Sequence, residues 1–558
     1  MKLLKCIVSL VVAMIFISTE AIATGKPTQL TTVPDKSGAT VKGVVYAGAE
    51  PLAGVTVSDG VEVTTTDRAG RYWLHSAKKN GSVFISIPSG YEVATQWSAP
   101  LFWAPLKAAH NVVEQHNFEL TQVDNENYIL LAVTDIHLSD QYNDLEQFCT
   151  TFLPSVQKII DHANGRRVYT LNTGDMSFDI YWYSHNYAIE SYKKTLNIVN
   201  YPTPIFHATG NHDNDGATPC SDSTDFVASE RYRQSVGPTY YSFNIGQVHY
   251  VVLDNIIYLN EPGGKKSAGI VGKRNYIRRV TPEQLAWLKK DLALVKDKTA
   301  PVIVGMHAAA YRYRNLTSEV ISWFSEPAYS EELTACFEDF DDVHYISGHT
   351  HANNTTYVND HLIEHNLGAV CGSWWISGAH HYQNLCPDGS PNGYGVFRID
   401  GRKMEWSYNS IDGGAERQFR AFDMNEVRRY YVESEELSKF LEHYPLRRDF
   451  RKIEDNVVYL NVWNWAPDWK ISVTENGREL AVVRERTEDP LYTISHELTK
   501  IKMAGRYAAS FGECLQNHLF VVKASSPTST LEIKVTDRFG KVYTEQMVRP
   551  KAFGYQMK

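Results

Sequence analysis

No Cys-x-x-Cys pair occurs anywhere in the 558 residues. That removes the usual thiolate zinc site and the thioredoxin-type redox pair. Basic excess is missing too: Lys and Arg total 55 against 64 Asp and Glu, a formal net charge of -9. A nucleic acid is therefore not the favoured partner, because proteins that bind its backbone concentrate Lys and Arg on one surface. Beyond the N-terminus no segment approaches the roughly 20 apolar residues that a membrane helix needs. Internal repeats and low-complexity tracts are absent as well. What remains, 43% apolar and 21% charged residues, is the composition of a globular protein long enough for three or four domains.

The N-terminus carries a basic head, "MKLLK", an apolar run, "IVSLVVAMIFIS", and a small-x-small site at Ala21 to Ala23. This predicts a signal peptide over 1–23 and a mature protein that is periplasmic or secreted. Cys6 precedes the apolar run, so it is badly placed for lipid attachment. Six cysteines remain after cleavage: Cys149, Cys220, Cys336, Cys371, Cys386 and Cys514. An oxidising compartment allows up to three disulfides among them, with Cys371 to Cys386 the first pair to test; buried free thiols are the other reading.

Residues 24–124 alternate in short runs broken by turns such as "GAEPLAG", "SDG" and "DRAG", with Val44, Val45, Val55 and Val57 against polar neighbours. The pattern predicts a small β-sandwich. From 125 the text changes to continuous apolar runs, "YILLAVTD", "RRVYTLNTGD", "TPIFHATGN", "APVIVGMH" and "VHYISGH", separated by longer segments. Strands covered on both faces read this way, so the fold class over 125–370 is α/β. "TPEQLAWLKKDLALV" opens a helix with Thr281 as N-cap, Pro282 in the first turn and Gln284 at the capping-box position. "TYYSFNIGQVHYVVLDN" predicts a hairpin turning near Gly246, hence mixed sheets. Residues 371–558 form a C-terminal β-rich block with one helical patch, "SEELSKFLEHY"; its first part, 371–412, could instead complete the α/β sheet of the preceding block.

Each of the five apolar runs ends in metal-competent side chains: Asp135 and His137, Asp175, Asn211 and His212, His307, then His349 and His351. Ligand sites of α/β sheets lie at the carboxyl ends of strands. Five such ends in one domain could meet in one place. Alternation along an extended chain would turn His349 and His351 to the same side.

In order, "TDIH", "TGDM", "TGNHDND", "GMH" and "SGHTH" resemble the DxH, GD, GNHD, GxH and GHxH motifs of the calcineurin-like metallophosphoesterases, over about 128–352. The resemblance implies a two-sheet α/β sandwich holding two divalent transition metals (Mn, Zn or Fe). By the same resemblance, Asp135, His137 and His351 would bind the first metal, Asn211, His307 and His349 the second, and Asp175 would bridge them. The first block resembles prealbumin-like modules, and all three blocks together resemble an architecture of exported bacterial members. The implied activity is hydrolysis of a phosphate mono- or diester on a small or glycan- or lipid-linked substrate.

His212 follows ligand Asn211 without being counted as a ligand, which places it as general acid for the leaving alkoxide. Asp213 or Asp179 would orient it. The third position after Asp175 separates this chain from two relatives: protein phosphatases carry Asp there and purple acid phosphatases a tyrosinate, whereas this chain has Phe178. Tyr181, Trp182, Tyr183 and His185, and later Trp374, Trp375, His380 and His381, are candidates for the rim. The segment "GGKKSAGIVGKRNYIRR", with Lys265, Lys266, Lys273 and Arg274, could attract an anionic substrate. Two other readings stand beside the phosphoesterase: a glycan- or envelope-binding protein with a structural metal site, and a nuclease or nucleotide phosphodiesterase.

Overall fold

Alternation along the strand Asn127–Val133 separates two cores. Tyr128, Leu130 and Ala132 face a core shared with Tyr250, Val302 and Val304, whereas Ile129, Leu131 and Val133 face one shared with Phe152, Val156 and Tyr192. A strand covered on both sides has no polar face to show, which is why its sequence is an unbroken apolar run. The computed structural model describes residues 33–505 and 515–557; the predicted signal peptide and Cys514 lie outside them.

Two mixed sheets form the centre. In the first, Ile205–His207, Arg167–Asn172 and Asn127–Val133 run parallel, and Gly393–Asp400 and Lys403–Ser410 continue it antiparallel. The second has the order Tyr241–Ile245, Val248–Val252, Val302–Ala308, Val343–Gly348, Leu362–Asn366, Asn354–Tyr357, with a parallel middle. Its first two strands are the hairpin expected around Gly246. The sheets pack face to face, and the hydroxyls of Tyr128 and Tyr250 meet across the interface at 2.5 Å.

The helix Pro282–Leu292 begins as its cap predicts, with Thr281 accepting from the Gln284 backbone N–H at 3.3 Å. The Gln284 side chain does not close a capping box; it brackets Asp254, accepting from its N–H and donating to its carbonyl. Trp287 of this helix carries the N-terminal sandwich, its indole N–H donating to Ser58 Oγ at 3.0 Å and its ring meeting Phe84 edge-on. That sandwich pairs a sheet containing Val41–Ala47 with one containing Thr56–Ser58. Its interior is continuous with the catalytic core, so burial of one stabilises the other.

The C-terminal block is a second sandwich of two four-stranded sheets with the helices Met424–Glu433 and Glu435–His443. It is fastened to the catalytic sheets by Thr355 Oγ1 to Asn464 Oδ1 at 2.9 Å and Ser377 Oγ to the Ser495 carbonyl at 2.8 Å. Among the described residues no helix is long and apolar enough to cross a membrane.

Of the two readings for the cysteines, a Cys371–Cys386 bridge is not formed and the free-thiol reading holds. Cys149, Cys220, Cys336, Cys371 and Cys386 are all free thiols. Cys371 Sγ points at the Gly372 carbonyl and Cys386 Sγ at that of Ala369, both deep in apolar surroundings that suit a small neutral thiol.

Candidate metal centre

The strand ends converge between the two sheets. Asp175 Oδ2 lies 3.5 Å from His137 Nε2 and 3.2 Å from His307 Nε2. On one side, His137 Nε2 is 3.1 Å from His351 Nε2, and Asp135 Oδ1 stands 3.5 and 3.3 Å from those two nitrogens. On the other, His307 Nε2 is 3.1 Å from Asn211 Oδ1 and 3.2 Å from His349 Nδ1. Asp175 therefore sits where the two groups join.

Local backbone makes this possible. Asp135, His137, Asp175, His349 and His351 all have φ between 49 and 70°, a region that costs non-glycine residues energy and clusters at functional sites. His349 and His351 are thus not on an extended chain, and alternation is not what places them; the strand stops at Gly348 and the left-handed turns send His349 to His307 and His351 to His137. Two motif glycines allow close approach. A Cβ on Gly210 would overlap the Asp175 carboxylate, and one on Gly348 would overlap Thr134 Oγ1 and Asp135 Oδ2.

The donors fit divalent cations. Asp135 Oδ2 is satisfied by Thr134 Oγ1 and the His349 N–H, but buried Asp135 Oδ1 has no hydrogen-bond partner. His307 Nδ1 lies 3.0 Å from the Thr173 carbonyl and His351 Nδ1 2.7 Å from that of Gly372. Each Nδ1–H donates outward and turns Nε2 inward, the arrangement of an oriented metal ligand. Spacings near 3 Å are those of atoms arranged about ions at roughly 2.0–2.2 Å. Burial alone would raise the carboxyls of Asp135 and Asp175, yet the facing imidazoles hold both below the usual range. Burial keeps His137 and His349 neutral, lowered to about 4 and about 3. Against burial, Asp175 raises His307 to about 9 and Asp135 raises His351. A proton there does for the carboxylates what a cation would do.

His212 stands beside this cluster, partly exposed, with Nδ1 2.7 Å from Asp179 Oδ1. Asp213 does not touch the imidazole, which corrects its assignment as an orienting group. Its carboxylate accepts N–H bonds from Gly210, Asp175 and Met176 at 2.8–3.0 Å. Asn211–Asp213 is a 3-10 turn, in which successive side chains point about a third of a turn apart.

Sequence reasoning missed two residues. Arg274, grouped there with loop cations, forks onto both Asp179 oxygens at 2.5 Å and lies 2.8 Å from His212 Nδ1; Tyr276, two residues on, sets its hydroxyl 3.1 Å from His349 Nε2. The x-R-x-Y-x-R alternation was the available signal. Cys371 Sγ lies 3.8 Å from His351 Nδ1, behind the ring rather than in the shared space. Of the rim candidates, Trp374 stacks over Phe178, whose ring also meets His137, His212 and Tyr181. The His185 ring lies tilted against Tyr181, centroids 4.7 Å apart. Trp375 and Trp182 are core residues bonded to the Ile136 carbonyl and Ser177 Oγ, and Tyr183 turns to Asp215.

Fold and site together define a metallophosphoesterase: a two-sheet α/β sandwich with carboxylates, imidazoles and an amide gathered at its strand ends. The chain belongs to the calcineurin-like phosphoesterase family, whose N-terminal, catalytic and C-terminal models match residues 39–123, 129–353 and 364–543. The family acts on phosphoesters with divalent metals. Solved structures similar to the chain include a dimetal phosphatase from Danio rerio, 12% identical over 51% of this chain and 96% of that one, TM-score 0.32. PhoD is 10% identical over 82% and 92%, TM-score 0.34, and a 5'-nucleotidase from Candida albicans is 11% identical over 51% and 52%, TM-score 0.30. No curated protein matches the chain.

Proposed function

We propose that the chain is an exported phosphoesterase with two metals, hydrolysing phosphate mono- or diesters with His212 as general acid. Asp135, His137 and His351 would hold one ion, Asn211, His307 and His349 the other, and Asp175 both. Two ions of Mn, Zn or Fe, when bound, supply the Lewis acidity that activates water near neutral pH and neutralises phosphoryl charge. The observation that carries the reading is the placing of Asp175 Oδ2 between His137 Nε2 and His307 Nε2.

The other groups position and move a proton. Three N–H bonds to Asp213 fix the backbone that presents Asp175. Asp179, buried and held ionised against that burial by His212 and Arg274, orients His212 through Nδ1 and leaves Nε2 to give its proton to the departing alkoxide. Phe178 and Trp374 wall the His212 side with apolar surface, suited to the organic part of a small or glycan- or lipid-linked ester. The basic head, apolar run and Ala21–Ala23 site support export to the periplasm or medium.

Metal analysis of the purified protein, with parallel assays on an aryl phosphate monoester and diester, tests the reading. About two equivalents of transition metal per chain and metal-dependent cleavage of one ester class are expected. Full activity in a metal-free preparation would end it.

A further inference from the structure

A cavity of about 510 Å³ opens between the catalytic sheets and the C-terminal sandwich. Its lining includes Thr350, the residue between His349 and His351, and on the other side Tyr311, Arg312, Trp323 and Arg486. No Asp or Glu lines it among the described residues, in a chain whose net charge is -9. The charged side chains of its described lining are therefore all cationic.

Arg312 of the lining and Arg278, which reaches the lining through Trp323, are uncompensated. The guanidinium carbons of Arg278 and Arg312 lie over the Trp323 ring, 5.4 and 3.2 Å from its centroid. Neither side chain has a carboxylate partner among the described residues, whereas nearby Arg314 is paired with Glu319 at 3.2 Å. Burial lowers the Arg312 pKa, and the charges of Arg486 and Arg278 lower it further. The Trp323 indole N–H is buried without a hydrogen-bond partner. Like charges crowded on one ring beside an unmet donor are stabilised by an anion.

The segment 274–278 connects this cavity to the metal centre. Arg274 reaches Asp179 and His212, Tyr276 reaches His349, and Arg278 reaches Trp323. Tyr276–Arg278 is a strand, so Tyr276 and Arg278 are spaced ~7 Å apart on one face, and Arg274 precedes them in a left-handed turn. The acid side, the second-metal side and the cavity are thus successive stations on one edge.

We propose that Arg278 and Arg312, on the Trp323 platform, bind a second anionic group, phosphate or carboxylate, carried by the phosphoester substrate several bonds from the scissile phosphorus. The inference rests on the phosphoesterase reading of the site and makes the substrate doubly anionic. Apolar contact at Phe178 and Trp374 and anion binding at Arg278 and Arg312 then lie on opposite sides of the reacting group. The bound substrate is oriented by both ends.

Calorimetric binding of non-hydrolysable probes to the metal-loaded protein tests this. The probes are hexylphosphonate, hexane bisphosphonate with a phosphonate at each end, and phosphonohexanoate with a carboxylate at its far end. At least ~10-fold tighter binding of a doubly anionic probe than of hexylphosphonate is expected; which one shows it separates phosphate from carboxylate. In the doubly substituted Arg278→Gln, Arg312→Gln protein, checked for an unchanged thermal midpoint, the advantage should vanish while hexylphosphonate affinity stays within about twofold. Equal affinities in the wild type, undetectable binding of all three probes, or an advantage that survives the substitutions would overturn the proposal. Aryl phosphate turnover, measured alongside, reports on the phosphoesterase reading separately: turnover with equal affinities removes the subsite alone, and an arginine-dependent advantage without turnover removes the reading alone.

Discussion

His212 and Asp179 are joined at 2.7 Å between Nδ1 and Oδ1 across 33 residues of chain, while Asp213, adjacent to His212, faces away. His212→Ala should therefore retain its metals and lose roughly 10²- to 10⁴-fold in rate on esters with poor leaving groups, and far less on aryl esters whose leaving group needs no proton. Metal content beside rates on an alkyl and an aryl phosphate checks this. Loss of metals in the variant would make His212 a ligand instead.

Asp179→Asn and Asp213→Asn should fail differently. An amide at 179 weakens the hold on the imidazole, so a rate loss of about 10- to 100-fold and a displaced acidic or basic limb of the kcat profile are expected. An amide at 213 points N–H groups at the backbone donors of Gly210, Asp175 and Met176. It should lower the thermal midpoint and metal content without moving that profile. Identical profiles in both variants would contradict the division of roles.

The five strand ends that carry the clustered Asp and His residues were legible because burial on both faces makes each strand a plain apolar run, against which a terminal Asp or His stands out. Pairings set by side-chain direction were not. Nothing in "GNHD" says that Asp213 turns to the N–H groups of the Asp175 loop, or that Asp179 takes its place at His212. Arg274 read as a loop cation because its partner lies 95 residues away. The cysteines left two readings open because compartment determines whether disulfides form, whereas only packing decides which thiols meet. The turns at His349 and His351 escaped a rule of alternation that ends with the strand.

Gly348→Ala isolates the backbone requirement at "SGHTH". The added methyl has no room beside Thr134 Oγ1 and Asp135 Oδ2, so the turn carrying His349 and His351 must shift away from Asp135. Overpacking of this kind costs about 1–3 kcal/mol. The expected result is a folded protein with reduced metal content, measured by circular dichroism and elemental analysis. Wild-type metal content would show that the site tolerates the displacement.

Glu114 gives a pH effect remote from the metals. Burial would raise its carboxyl, but Lys78 and the N–H groups of Lys107 and Ala108 hold it down to about 2; Lys78 Nζ lies 2.6 Å from Oε1. The folded form therefore keeps the charge that the unfolded chain gives up near its ordinary value of 4.5. A depressed carboxyl stabilises above the unfolded value, and that contribution is lost as pH falls through the window from 4.5 to about 2. After solvent screening it amounts to about 1 kcal/mol. Glu114→Gln should consequently melt about 1–2 °C below the wild type at neutral pH. The gap should close as the pH falls through that window, since both proteins then present an uncharged side chain to Lys78. A gap that stays constant down to the lower limit would mean that the contact stabilises by packing and hydrogen bonding, with no share from charge.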